Sequence, residues 1–165
     1  MDKKVFEKMF TVSQQYPIVG RFAGWFASGS AKLFWIAYLA GIVILIIMRD
    51  PKIVIFLLFP SMTFLTSHTF RQVIKRQRPY EEYPIKPYIS NPKRKFGMPS
   101  NHSASAMIIA MAAIYLNFVI GIILVGLAVL TGICRIFSGV HYPFDVCVGW
   151  TLAIIYGSVM LYILL

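Results

Sequence analysis

Charge is what this 165-residue chain has least of: 13% of its residues are Asp, Glu, Lys or Arg, and only six are acidic. With 58% hydrophobic residues and a mean hydropathy of +0.71, the polar surface that a soluble domain of average composition needs is missing. The same scarcity argues against intrinsic disorder, which requires low hydrophobicity. Cysteine is nearly absent too. Cys134 and Cys147 lie in apolar surroundings with no Cys or His partners at metal-ligand spacing, so neither a disulfide framework nor a zinc site is indicated, and both read as packing residues. Residues 1–20 lack a continuous apolar stretch and a small-residue cleavage site, so they do not read as a cleaved signal peptide.

The remaining class is one all-α, polytopic membrane helical bundle. Sixteen Lys and Arg against six acidic residues give a net charge of +10. In a soluble protein that balance would suggest nucleic acid; in so apolar a chain it points to anionic lipids or phosphate, and no nucleic acid is expected. The composition divides the chain into an interfacial amphipathic region, residues 1–30, and a transmembrane domain, residues 31–165.

In the first region Val5, Phe6, Met9 and Phe10 share one helical face while Lys4, Glu7 and Lys8 share the other, the pattern of a helix lying in the membrane interface. Pro17, Arg21 and three glycines interrupt residues 16–30, which predicts a second interfacial helix with Trp25 at headgroup level. Ala31–Met48 is long enough to cross, with Lys32 free to snorkel. Ile53–Ile74 is a second span containing Pro60, His68 and Arg71. From Ser103 to Cys134 no residue is charged; as one helix that stretch would measure about 48 Å at ~1.5 Å per residue. That exceeds a hydrocarbon core of ~30 Å, so it divides near Asn117 into two spans. Phe144–Leu165 is the last of about five.

Strict alternation of five spans places the Lys75–Met98 loop and the Phe137–Pro143 turn on the same side of the membrane. The scarce polar residues converge there. Arg71 and Arg78 are seven apart at the end of the second span, where Pro79 biases Arg78 away from the helical region. Pro99-Ser100-Asn101-His102 reads as a helix start, whose free backbone N–H groups and positive dipole end attract an oxyanion. Arg135 closes the fourth span. His141 and Asp145 are four apart across another helix start, a spacing that lets the carboxylate accept from one imidazole nitrogen and fix the other as the reactive one. Three arginines, a helix N-terminus, two histidines and a carboxylate form an inventory for phosphoryl transfer.

These residues resemble the type 2 phosphatidic acid phosphatases. That family's pattern is Lys-x6-Arg-Pro, then Pro-Ser-Gly-His, then Ser-Arg-x5-His-x3-Asp. The chain reads Arg71-x6-Arg78-Pro79, Pro99-Ser100-Asn101-His102 and Cys134-Arg135-x5-His141-x3-Asp145, in the same order and spacing, over roughly residues 31–165. The resemblance implies a metal-independent lipid phosphate phosphatase without cofactor, acting through a phosphohistidine. It implies that His141 is the nucleophile, Asp145 its orienting partner and His102 the acid for the leaving group. Arg78, Arg135, Ser100 and nearby backbone N–H groups would hold the phosphate, with Arg71 and Asn101 in the remaining motif positions. The chain departs from the pattern at three places. Arg71 stands for Lys, which changes reach and geometry; Asn101 stands for Gly, crowding the backbone but adding an amide donor; Cys134 stands for Ser.

Taken singly, these residues have plainer readings. Arg71 alone reads as a snorkelling span end, His68 as a buried hydrogen-bonding residue, and the clusters Lys75-Arg76 and Lys93-Arg94-Lys95 as topology signals or lipid-headgroup contacts. His141 with Asp145 lacks the further ligands a metal would need. Two other function classes stand beside catalysis: a non-catalytic lipid-phosphate binder would not need both histidines and the carboxylate, and a transporter would place polar groups nearer the midplane. Candidate substrates are undecaprenyl diphosphate, phosphatidylglycerol phosphate and phosphatidate, in the cell membrane. All basic residues but Arg49 and Lys52 fall on the catalytic face. The positive-inside rule taken literally puts that face in the cytoplasm, whereas many bacterial members of the resembled family face outward; a role for the loop's charge in attracting anionic substrate tips the expectation outward.

Overall fold

A computed structural model describes residues 2–89 and 96–165. Met1 and the Lys93-Arg94-Lys95 cluster lie outside the described residues. Among the described residues seven helices follow in order: α1 Asp2–Gln15, α2 Pro17–Met48, α3 Ile53–Ile74, the single turn α4 Pro79–Glu82, α5 Asn101–Leu116, α6 Phe118–Phe137 and α7 Pro143–Leu164. Four of them, α2, α3, α6 and α7, are long and apolar enough to cross a membrane. The shorter α5 is apolar on every side and packs against all four, as expected of a helix enclosed by others. The division near Asn117 has a local cause: the Asn117 Oδ1 accepts the Ile120 N–H at 3.0 Å and caps α6.

The core runs along α5, where Ala106, Ile108, Ala110 and Ala112 meet Phe34, Tyr38, Leu45 and Phe56 from α2 and α3 and Ala128, Ala153 and Met160 from α6 and α7. Large apolar side chains cover the outside as well, including Ile36, Ile47, Leu65 and Ile155. Such a surface belongs in lipid. At one end of the bundle Asp50 accepts from the Tyr115 hydroxyl at 2.5 Å and Lys52 bonds the Leu164 carbonyl. The opposite end gathers the C-termini of α3 and α6, the N-termini of α5 and α7, and the intervening loops.

Three expectations change. The break at Ser30 does not exist: α2 is continuous from Pro17, because Gly20 and Gly24 receive Tyr88 rather than interrupt the helix. A Cβ at Gly20 would meet the Tyr88 ring at 2.3 Å and one at Gly24 the Tyr88 carbonyl oxygen at 2.3 Å, so tertiary packing outweighs the helix cost of glycine. Second, α1 turns its apolar face to the protein. Phe6 and Phe10 are buried against Tyr142, Tyr83 and Tyr88, and Ser13 donates to the Phe137 carbonyl at 2.9 Å. Third, His68 is exposed and stacked on Phe64 one turn earlier rather than buried. Of the cysteines, Cys134 packs against Ala23 and Ala27 while Cys147 is exposed.

Candidate active site

His141 and Asp145 come together because of how α7 begins. After α6, Gly139 takes φ +81°, a left-handed turn that a Cβ would strain, and the chain re-enters at Pro143, the first helical position. Asp145, two residues later, bends back so that Oδ2 accepts the Tyr142 N–H at 3.0 Å and stands 3.4 Å from His141 Nδ1. Both side chains are fully buried. Burial, followed by the charges of Arg78 and Arg135, holds the His141 imidazole well below its ordinary pKa. It is therefore neutral, with a lone pair to offer. Neither ring nitrogen makes a hydrogen bond of good geometry with a described residue.

Arg71, Arg78 and Arg135 are each about 95% buried and all three act electrostatically on His141. They arrive by different routes. Arg71 sits in the last turn of α3, where its Nη2 donates to the Pro99 carbonyl at 2.6 Å and holds the start of α5. Arg78 follows the end of that helix in an extended conformation, as Pro79 requires, and its Nε donates to the Phe96 carbonyl at 3.3 Å. Arg135, in the last turn of α6, places Nη2 3.0 Å from His102 Nδ1. A guanidinium can only donate, so this contact makes Nδ1 the acceptor and leaves the ring proton on Nε2.

Ser100 occupies the N-cap position of α5, fully buried; its Oγ lies 2.9 Å from that of Ser103, and its N–H donates to the Asp145 carbonyl at 2.9 Å. The amide oxygen of Asn101 accepts from Ser67 Oγ at 2.6 Å, while its Nδ2 is buried with no hydrogen-bond partner among the described residues. The α5 N-terminus is thus tied to α3 and α7, with an amide donor and free helical N–H groups unspent. All eight predicted site residues gather at this end of the bundle.

His102 also borders a cavity of about 310 Å³ whose walls include Phe34, Trp35, Phe64, Ser105 and Ile109. A second, of about 310 Å³, shares Trp35, Phe64, Ser105 and Ile109 and continues along Tyr38, Leu65 and Ile108. Together they form an apolar groove between α2, α3 and α5 that begins at the polar cluster. Sequence reasoning missed this groove because its residues have the composition of any lipid-facing helix. It also missed Arg76, which reads as part of a surface cluster. Arg76 Nη1 donates to Asp145 Oδ1 at 2.9 Å. A signal existed: Arg76 lies two residues before Arg78 in a segment that Pro79 pushes toward extended backbone, where residues i and i+2 share a face.

The chain has recognisable relatives. The family model described as the PAP2 superfamily matches residues 32–165. Undecaprenyl-diphosphatase BcrC of Bacillus subtilis (strain 168) is 44% identical over 59 residues, 36% of this chain but only 31% of that relative's length. Among solved structures, Aquifex aeolicus LpxE superposes with a TM-score of 0.75 at 23% identity, covering 98% of this chain and 94% of LpxE. The first transmembrane PAP2 type phosphatidylglycerolphosphate phosphatase from Bacillus subtilis gives 0.71 at 19%, covering 98% and 85%. At such identities the likeness is one of fold.

Proposed function

The chain belongs to the PAP2 superfamily, and on that premise we propose that it is a metal-independent phosphatase of a membrane lipid phosphate or diphosphate. The observation that carries this reading is the fully buried His141–Asp145 pair beside three buried arginines. A protein that only bound lipid phosphate would need the arginines but not a neutral imidazole oriented by a buried carboxylate.

The geometry supports the following reaction. Arg78, Arg135 and the N–H groups at the start of α5 take the nonbridging oxygens, supplying positive charge that a divalent metal provides in other phosphatases. His141 attacks phosphorus through Nε2, since Nδ1 faces Asp145. As the N–P bond forms and the P–O bond to the lipid breaks, the leaving oxygen takes a proton from His102. Phosphate that draws the Arg135 guanidinium to itself also releases His102 Nδ1 to accept a proton from solvent, readying it as the acid. Water, giving its proton to His102, then attacks the phosphohistidine and breaks the N–P bond; His141 regains its neutral form, and His102 passes the gained proton to solvent as phosphate leaves and Arg135 returns to Nδ1.

The groove beside His102 fits the hydrocarbon chain of a substrate that stays in the bilayer while its phosphate reaches the arginines. Each methylene kept in lipid is worth ~0.8 kcal/mol, so lateral entry is favoured over extraction. Undecaprenyl diphosphate heads the substrate candidates because the curated relative carries that name; phosphatidylglycerol phosphate and phosphatidate follow. The enzyme would act in the cell membrane with its site on the outer face. Labelling of Lys86→Cys, an exposed loop position, by an impermeant maleimide in intact cells, in a Cys147→Ser background, reads the sidedness; labelling only after permeabilisation reverses it. The activity test is phosphate release from these three lipids by purified protein in EDTA. Turnover in EDTA supports the reading. Complete loss restored by a divalent metal overturns metal independence, and no release from any lipid phosphate overturns the reading itself.

A further inference from the structure

Asp145 divides its two oxygens between two tasks. Oδ2 accepts the Tyr142 N–H and faces His141, while Oδ1, among the described residues, accepts from Arg76 at 2.9 Å. The carboxylate is fully buried, so loss of Arg76 would strip Oδ1 of its partner among the described residues and leave the Tyr142 N–H alone to fix the carboxylate's rotation about Cβ–Cγ. Arg76 is itself fixed on three sides. Its Nη2 pairs with Asp2 Oδ2 at the start of α1, its guanidinium carbon lies 4.4 Å over the Tyr142 ring, and its own carbonyl accepts the Gly97 N–H at 2.8 Å. Asp2 has a second anchor, because its Oδ1 accepts the Phe144 N–H at the start of α7 at 3.0 Å. The Tyr142 hydroxyl donates to Glu82, which pairs with Lys3 of α1. Three contacts from α1, two by Asp2 and one by Lys3, thus lead to the residues around His141.

From this we infer that Arg76, held by Asp2, is a positioning residue that sets Asp145 against His141, so that the N-terminal helix is part of the catalytic apparatus. The inference rests on the phosphatase reading and deepens it. Arg76 is assigned no contact with phosphate, which Arg78 and Arg135 hold. Its removal should therefore slow the chemistry without weakening substrate binding. Nor is α1 merely an anchor on the membrane surface: its first residue in the described structure completes a path, Asp2–Arg76–Asp145–His141, into the nucleophile.

The experiment compares parent, Arg76→Met, Arg76→Lys, Asp2→Asn and the double variant Asp2→Asn/Arg76→Met in detergent. It measures kcat, KM, the rate of phosphoenzyme formation in a single turnover, and vanadate affinity. Arg76→Met should lower kcat and the phosphorylation rate ~10–100-fold, the usual loss when the support of a catalytic group is removed. KM and vanadate affinity should stay within about twofold, as expected when a lost interaction acts only in the transition state. Arg76→Lys should recover part of the rate, since one ammonium N–H can still reach Oδ1 but cannot also fork to Asp2. Asp2→Asn should cost less, and nothing further in the Arg76→Met background. An Arg76→Met protein with parental kcat overturns the inference, and so does one in which KM and vanadate affinity collapse together with kcat, because that marks a structural role alone. If the parent itself forms no phosphoenzyme and releases no phosphate, the phosphatase reading has failed before the variants are compared.

Discussion

Gly97 has no side chain, yet substitution by alanine there should damage the enzyme. Its N–H donates to the Arg76 carbonyl at 2.8 Å, and Gln77 and Phe96 form an antiparallel bridge beside it, so the backbone cannot slide away without cost. A Cβ at this position would lie 3.2 Å from Arg78 Cγ and 3.2 Å from Asp145 Oδ2. Both distances are a few tenths of an ångström too short for comfortable contact, and neither neighbour is a loose end. Asp145 is held by Arg76 and by the Tyr142 N–H, and Arg78 by the Phe96 carbonyl. Overpacking of a constrained site costs ~1–3 kcal/mol. If about half is felt as misalignment of His141 with phosphorus, kcat falls ~2–12-fold, since about 1.4 kcal/mol corresponds to a factor of ten. The assay is initial phosphate release from a long-chain lipid phosphate, with melting temperature measured alongside. Gly126→Ala is the control, because a Cβ there meets nothing within 4 Å; it should leave kcat unchanged and, by restricting the unfolded chain, leave stability equal or slightly higher. A Gly97→Ala enzyme with parental kcat and melting temperature would refute the reasoning.

Other perturbations read other parts of the site. Burial and the neighbouring arginines depress the His141 pKa below its ordinary value of 6.5, so kcat/KM, corrected for the substrate's own phosphate ionisation near pH ~6, should hold as pH falls through 6.5, whereas a limb centred there would contradict a neutral, buried nucleophile. The same depression means the unfolded chain binds a proton that the folded one refuses; this group's contribution to stability is present above pH ~6.5 and declines below it, and His141→Ala should flatten that part of a stability–pH curve. Ser105 lines both cavities of the groove, so Ser105→Phe should raise KM for long-chain substrates several-fold while sparing a short soluble ester, and equal effects on both would remove the groove from the account. His102→Ala should lose ~10²–10⁴-fold on a lipid substrate, the range of general acid–base catalysis, and recover much of that on a nitrophenyl ester; no recovery would argue against its role as the acid.

Fixed local spacings made the site legible in the sequence to an unusual degree. Arg78-Pro79, Ser100-Asn101-His102 and His141-x3-Asp145 each build their geometry within one helix turn or one turn of chain, where proline and capping rules apply directly. Contacts between distant segments were not legible. Nothing in residues 16–30 announces that Gly20 and Gly24 accommodate Tyr88, some sixty residues away, so a row of glycines reads as a break. The amphipathic pattern of α1 is the same whether its apolar face meets lipid or meets Tyr142 and Tyr83, and only the folded chain distinguishes the two. Arg76 was passed over for a related reason: its value lies in two carboxylates, Asp2 and Asp145, that are remote from it in sequence.

The central claim is that His141 attacks phosphorus, and trapping the phosphoenzyme tests it most directly. Purified protein mixed with a ³²P-labelled lipid phosphate and quenched within the first turnover should carry an acid-labile, base-stable label, in the parent and in His102→Ala with an activated leaving group, but not in His141→Ala. Label that persists in His141→Ala, or a parent that releases phosphate at full rate with no trappable intermediate under any quench, would contradict the account and leave direct attack by water in its place.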